Sequence, residues 1–174
     1  HRAAKEFLSR VKQELEFLNM PSVRLSISAG RSGWKPDGQD ELEFLISSNI
    51  GEEPKPLAKI ASGGELSRVM LSIKNVLAQK DQIATAIFDE IDTGVSGKAA
   101  QKIGQKLKEV SENRQVICVT HLAQVAVFAD HHLLIHKQEE NGRTFTRIER
   151  LEQAERTQEI ARMISGDNLT DTAI

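Results

Sequence analysis

Two short apolar runs that end in reactive side chains constrain this chain more than anything else in it. Residues 83–88 (Ile-Ala-Thr-Ala-Ile-Phe) lead into Asp89-Glu90, and Val116–Val119 leads into Thr120-His121. An unbroken apolar run of this length is the pattern of a strand buried on both faces of a parallel sheet. A helical stretch, about Gly97–Glu112, separates the two runs. Strand, helix and strand at this spacing make a βαβ unit with a right-handed crossover. Ligands of such sheets lie off the carboxyl ends of the strands, which is where Asp89, Glu90 and His121 are expected. Alternation sends the adjacent carboxylates in different directions. One can hold a hydrated Mg²⁺, which takes few protein ligands, and the other can face a water as general base. An acidic pair after a strand is also common for the plain reason that strand ends are polar.

The remaining segments fit an α/β chain with a β-rich edge. Residues 1–19 carry Ala4, Leu8, Val11, Leu15 and Leu18 at alternating spacings of four and three, the seam of a short coiled coil or an amphipathic core helix. Pro21 ends it. Val23–Ala29 and Glu41–Ser48 alternate as half-buried strands, and Gly30–Gln39, with three Gly and Pro36-Asp37-Gly38, predicts a long hairpin loop. Trp34 in that loop is expected to be a local packing anchor. A helix is predicted from Ser62 to about Lys80, with Leu66, Val69, Met70, Ile73, Val76 and Leu77 on one face. A short helix at Leu122–Phe128, strands at Leu133–Lys137 and Thr144–Leu151, and a helix at Gln153–Ile164 complete the reading.

Composition excludes several classes. With 23 Lys+Arg against 25 Asp+Glu, the chain is no polycation that coats nucleic acid by bulk charge. A single Cys excludes a disulfide framework, and Cys118 reads as a core residue. No apolar run approaches the roughly 18 residues of a membrane span. The chain opens at His1-Arg2 without a Met, so a preceding segment is expected.

Ser62-Gly63-Gly64-Glu65 has two readings. As a capping box, Ser62 accepts from the N–H near Glu65 while Glu65 reaches back. As a ligand site, two glycines leave bare N–H groups at the positive end of a helix, where phosphate binds. The readings are compatible, and a plain cap does not require the glycines. A phosphate-cradling G-x-x-x-x-G-K-[ST] is absent from the sequence, and Gly94–Ala99 is a decoy with too few residues between its glycines. No G-x-G-x-x-G occurs either.

The order of these pieces resembles the C-terminal half of an ABC-type ATPase head. More narrowly, Pro56–Arg68, Phe88–Gly97 and Thr120–Ala126 resemble the RecN family of SMC-related bacterial DNA repair proteins. The resemblance covers nearly the whole chain. It implies an α/β lobe, residues 21–174, with a mostly parallel sheet flanked by helices, and residues 1–20 as the end of a coiled-coil arm. It also implies a partner lobe, the N-terminal half of the same protein, that supplies the P-loop. A second head would close over ATP, and DNA would be the further partner. Asp89 would hold Mg²⁺ through water, Glu90 would deprotonate the attacking water, and His121 would touch the γ-phosphate. Ser62, Gly63 and Gly64 would bind the γ-phosphate of the ATP held by the opposite head, supported by Glu65 and Arg68. The resemblance implies a cytoplasmic, nucleoid-associated protein acting in double-strand-break repair and recombination, with no membrane.

This sequence departs from the general pattern in two places. Ala61 stands where many members have Leu, and Ser96 stands where the loop after the acidic strand usually carries Asp. Asp92 is the expected substitute in that loop's contact across the head dimer. Two other functions stay open on the residues alone. One is a coil-bearing dimerisation or binding module without catalysis. The other is a metallohydrolase built from Asp89, Glu90, His121, His131, His132 and His136, which the adjacent His131 and His132 suit badly because neighbours on a strand point to opposite faces. The charged Lys98–Lys108 stretch reads as a solvated helix face.

Overall fold

A computed structural model of the chain describes residues 2–49, 51–60, 62–77, 83–140 and 142–166. The expectations that fall on Ala61, residues 78–80 and Thr172–Ile174 lie outside them.

The opening helix α1 (Arg2–Phe17) presents Val11 and Leu15, with Leu18 just beyond it, to the interior. It lies against the base of an antiparallel hairpin, β1 (Arg24–Lys35) and β2 (Gly38–Ser47), where the Phe7 and Phe44 rings stand 5.9 Å apart. The long loop expected at Gly30–Gln39 is not there. The strands pair from Arg24↔Ser47 to Arg31↔Asp40 and again at Lys35↔Gly38, so the turn is only Pro36-Asp37 and a bulge takes up Ser32–Trp34. Pro36 presets the turn and Gly38, at φ 115°, admits it, so backbone pairing continues where composition predicted a loop. Trp34 is 86% exposed and anchors nothing, because the bulge aims it outward.

A two-residue strand, β3 (Lys55–Pro56), and a 3₁₀ turn (Leu57–Lys59) lead to α2 (Gly63–Leu77). This helix is buried on two sides rather than one. Val69 and Ile73 join Val11, Leu15, Val23 and Ile46 in one core. Leu71, outside the expected stripe, joins Phe88, Ile91, Ile103, Leu107 and Val110 in a second. The parallel pair follows: β4 (Thr85–Phe88), α3 (Gly97–Ser111) and β5 (Gln115–Cys118), in register from Thr85↔Gln115 to Phe88↔Cys118. Helix α4 (Ala123–Ala126), the antiparallel hairpin β6 (His132–Glu140) and β7 (Arg143–Leu151), and α5 (Gln153–Ser165) close the chain. Among the described residues the parallel pairing is confined to β4–β5, and the α/β lobe's other strand pairs are antiparallel.

Two further expectations change. The β4–β5 pair is buried on one face only: Ile87 is 69% exposed, and Ile117 and Val119 are exposed beside it. The α3 charges are not all solvated either. Lys106 is buried, its Nζ 2.9 Å from Glu14 of α1 and 4.8 Å from the Phe17 ring centre, so it fastens α3 to α1. Cys118 packs against the second core as expected, and burial, with Asp92 and Asp89 nearby, pushes its thiol up to about 12.

Candidate functional site

Because β4 and β5 run parallel in register, the residues that follow them emerge side by side. Val119 N–H donates to Phe88 O at 3.0 Å, extending the pairing to the last residue before the loops. Asp89 and Glu90 leave one strand, and Thr120 and His121 the other.

The chain reverses at once after Asp89. Asp89 Oδ1 accepts the Glu90 N–H at 2.9 Å, and Glu90 sits at φ 55°, a left-handed conformation that disfavours any side chain. Such strain, of the order of 1–3 kcal/mol, persists only where the surroundings impose it, and it clusters at functional sites. Here Thr93 N–H closes the turn onto Glu90 O at 3.1 Å. Both acidic side chains stay exposed at the strand end.

Helix α2 is stapled to this turn. Ser67 Oγ donates to Asp89 O at 2.8 Å. The buried Arg68 donates through Nη1 to Ile91 O at 3.2 Å and Thr93 O at 2.9 Å. Burial holds its guanidinium below the usual value, with Glu65 and Asp92 acting the other way. Gly64 lies so close that a Cβ would stand 3.0 Å from the carbonyls of Glu90 and Thr93. A Cβ there would press on the backbone of the turn, so glycine is the residue that fits without moving it. At Gly63 a Cβ would meet only the Glu90 Oε2 tip, at 2.3 Å, and a flexible carboxylate can move.

The capping box is half formed. Ser62 Oγ accepts the Glu65 N–H at 3.4 Å, but the Glu65 carboxylate turns instead to Ser48 Oγ, 3.1 Å away at the end of β2. Ser62 and Gly63 are exposed. A helix start whose N–H groups have no intrahelical partners and which faces outward is suited to an anion.

Asp92 and Ser96 part company. Ser96 precedes α3 as its N-cap, exposed and without a side-chain capping bond. Asp92 is 2% exposed and points inward, contrary to its expected outward contact. Its Oδ2 accepts from Thr120 Oγ1 and from the His121 N–H at 3.1 Å, and lies 3.2 Å from His121 Nδ1. The His121 side chain itself is 72% exposed. Thus Asp89, Glu90, His121 and the α2 N-terminus share one edge of the lobe, joined beneath by Arg68 and Asp92. Thr120, Ser67 and Ser48 belong to this arrangement and were not singled out beforehand. Thr120 could have been noticed as the hydroxyl beside a strand-end histidine, whereas nothing local marks Ser48, 17 residues from Glu65.

The other histidines take separate partners. His131 Nδ1 lies 3.0 Å from Arg150 Nη2, and His136 Nε2 lies 3.7 Å from Glu149 on β7. No three His, Cys, Asp or Glu among the described residues are grouped to hold a metal ion.

In fold, the chain is similar to the head domains of SMC proteins. It superposes on the Smc head domain with coiled coil and joint from Pyrococcus yayanosii at a TM-score of 0.62, with 18% identity, over 94% of this chain and 30% of that one. A structure described as "Structural biochemistry of ATP-driven dimerization and DNA stimulated activation of SMC ATPases" gives 0.53 at 18% identity, covering 96% of both chains. No family model matches. Within that class, the chain corresponds in sequence to the C-terminal part of the DNA repair protein RecN. It is 42% identical to RecN of Halalkalibacterium halodurans over 97% of this chain and 31% of the relative. It is also 53% identical to RecN of Bacillus subtilis over 77% of this chain and 23% of that relative. The chain spans about a third of the length of the curated relatives it matches.

Proposed function

We propose that this lobe works as half of an ATP-hydrolysing head in bacterial DNA double-strand-break repair and recombination. A P-loop lobe of the same protein would complete each head, and a second head would close over the nucleotide. The observation that carries this reading is the single edge on which Asp89, Glu90, His121 and the α2 N-terminus converge. The sequence has no P-loop of its own, so the lobe alone is not expected to hold or hydrolyse ATP. The open apolar face of β4–β5 supports a covering lobe, and residues 1–20 would enter a coiled-coil arm leading to it.

Asp89 is the residue suited to Mg²⁺: an exposed carboxylate at a strand end, as expected for a cation that keeps most of its waters and binds phosphate oxygens. When bound, Mg²⁺ supplies positive charge against the phosphate oxygens. Glu90, held outward by its left-handed backbone, takes a proton from the attacking water as the new P–O bond forms and the bond to ADP breaks. His121 meets the γ-phosphate of that nucleotide. Ser62, Gly63 and Gly64 present the α2 N-terminus to the γ-phosphate of the nucleotide held by the other head, and Glu65 and Arg68 hold that terminus in place. Ser96 extends toward the same dimer interface. DNA is the proposed macromolecular partner, in the cytoplasm.

The test pairs this lobe with a P-loop-bearing N-terminal half. Mg²⁺-dependent ATPase activity should appear only with both. Glu90→Gln should keep ATP binding, accumulate head dimers and lower turnover by about 10²–10⁴. Undiminished turnover would remove Glu90 as the base. Ser62→Arg should leave ATP on single heads but prevent dimers from forming.

A further inference from the structure

Asp92 is a carboxylate 2% exposed beneath the strand-end loops. A carboxylate is buried at a cost unless it is hydrogen-bonded, so the groups that satisfy it show what it holds. All three polar contacts the structure gives its Oδ2 come from one dipeptide, Thr120-His121: the threonine hydroxyl, the histidine N–H at 3.1 Å and histidine Nδ1 at 3.2 Å. The same hydroxyl accepts the Leu122 N–H at 3.1 Å, so the loop is tied at successive residues. Only the Nδ1 edge of the His121 ring is held. With the side chain 72% exposed, the Nε2 edge remains on the open side where the strand ends meet their ligand. An untethered ring with that exposure would sample several rotamers.

We infer that Asp92 is a positioning residue: through Oδ2 it fixes the backbone and ring of His121 so that Nε2 points to the γ-phosphate, and Thr120 in turn orients Asp92. Arg68, bound to the carbonyls on either side of Asp92, keeps the carboxylate under the loop. The inference rests on the reading of His121 as a γ-phosphate contact.

The experiment uses the full-length protein that carries this lobe with its P-loop lobe, and measures steady-state ATP hydrolysis and ATP binding. Asp92→Asn should lower kcat about 10²-fold, the scale of a misplaced reacting group, while KM for ATP shifts by no more than about twofold. The double variant with His121→Ala should be no slower than His121→Ala alone, because Asp92 acts through the ring. Thr120→Val should lower kcat by a smaller factor, and that effect too should vanish in the His121→Ala background. If Asp92→Asn does not fold, Thr120→Val decides in the same way. Full turnover in the Asp92 and Thr120 variants, or losses that multiply with His121→Ala, overturns the positioning role. Full turnover in His121→Ala alone sinks the reading of His121 itself, and the inference with it. Loss in His121→Ala with none in Asp92→Asn removes only the inference.

Discussion

The two faces of the β4–β5 pair have the same apolar character and opposite surroundings. On one, Phe88 sits in a core with Ile91, Ile103, Leu107 and Val110, under α3. On the other, Ile87, Ile117 and Val119 meet solvent. Parallel strands are stable in proteins with both faces covered, and a contiguous exposed apolar patch marks a contact surface. The difference teaches that, among the described residues, half of the pair's apolar surface is left without a partner, and this is the half the proposed P-loop lobe would cover.

The contrast can be broken from its packed side first. Phe88→Ala should destabilise the protein by about 3–5 kcal/mol in denaturant unfolding, because the surrounding helices cannot collapse onto the cavity. Ile87→Ala, one residue away, should change the stability of this lobe alone by no more than about 0.5 kcal/mol. In the proposed head it should instead weaken association with the P-loop lobe by about 2–3 kcal/mol, the burial of one such side chain. Equal losses for Phe88 and Ile87 in the lone lobe would refute the open face.

Lys106 tests how the packed side is fastened. Its ammonium is held above the usual lysine value: burial opposes the charge most, but the Glu109 and Glu14 carboxylates together outweigh it. Lys106→Ala should cost about 1–3 kcal/mol by leaving Glu14 with its partner removed, and should loosen α1. Glu14→Gln should restore part of that loss.

The smallest effect is a pH dependence on the β6–β7 hairpin, where Leu133, Ile135 and Ile148 are exposed in the manner of Ile87. His132, nearer α5, is depressed below its ordinary value chiefly by burial, with Arg156 adding to the shift and Glu159 opposing it. A histidine lowered on folding contributes stability above its unfolded value, about pH 6.5, and loses that contribution as pH falls. His132→Gln should therefore flatten the fall in Tm between about pH 7 and pH 5 without changing Tm at pH 8. An unaltered slope would exclude the group.

Much of the site was legible because its signals are local. A strand running into Asp89-Glu90, a strand running into His121 and a helix opening on Ser62-Gly63-Gly64 each announce themselves within a few residues. The hairpin departs from the expected loop for a local reason too: Gly30, Gly33 and Pro36 predict a loop, yet cross-strand pairing with Asp40 and Gly38 carries the strand through. Leu71, Lys106 and Asp92 escape a local reading for the opposite reason. Each has a decisive partner more than ten residues away (Glu14 for Lys106, Thr120 for Asp92, Phe88 for Leu71), and periodicity along one element cannot say that a second element covers the other side.

By itself the sequence determined the order of the elements, the parallel βαβ unit and the reactive residues at its strand ends, since these follow from short-range pattern and chain direction. Only the tertiary structure decided that one sheet face is open, that Gly64 lies hard against the Glu90–Thr93 turn, and that Asp92 turns inward to His121. Those outcomes depend on which surfaces meet and how much room lies between them, and spacing along the chain carries no record of either.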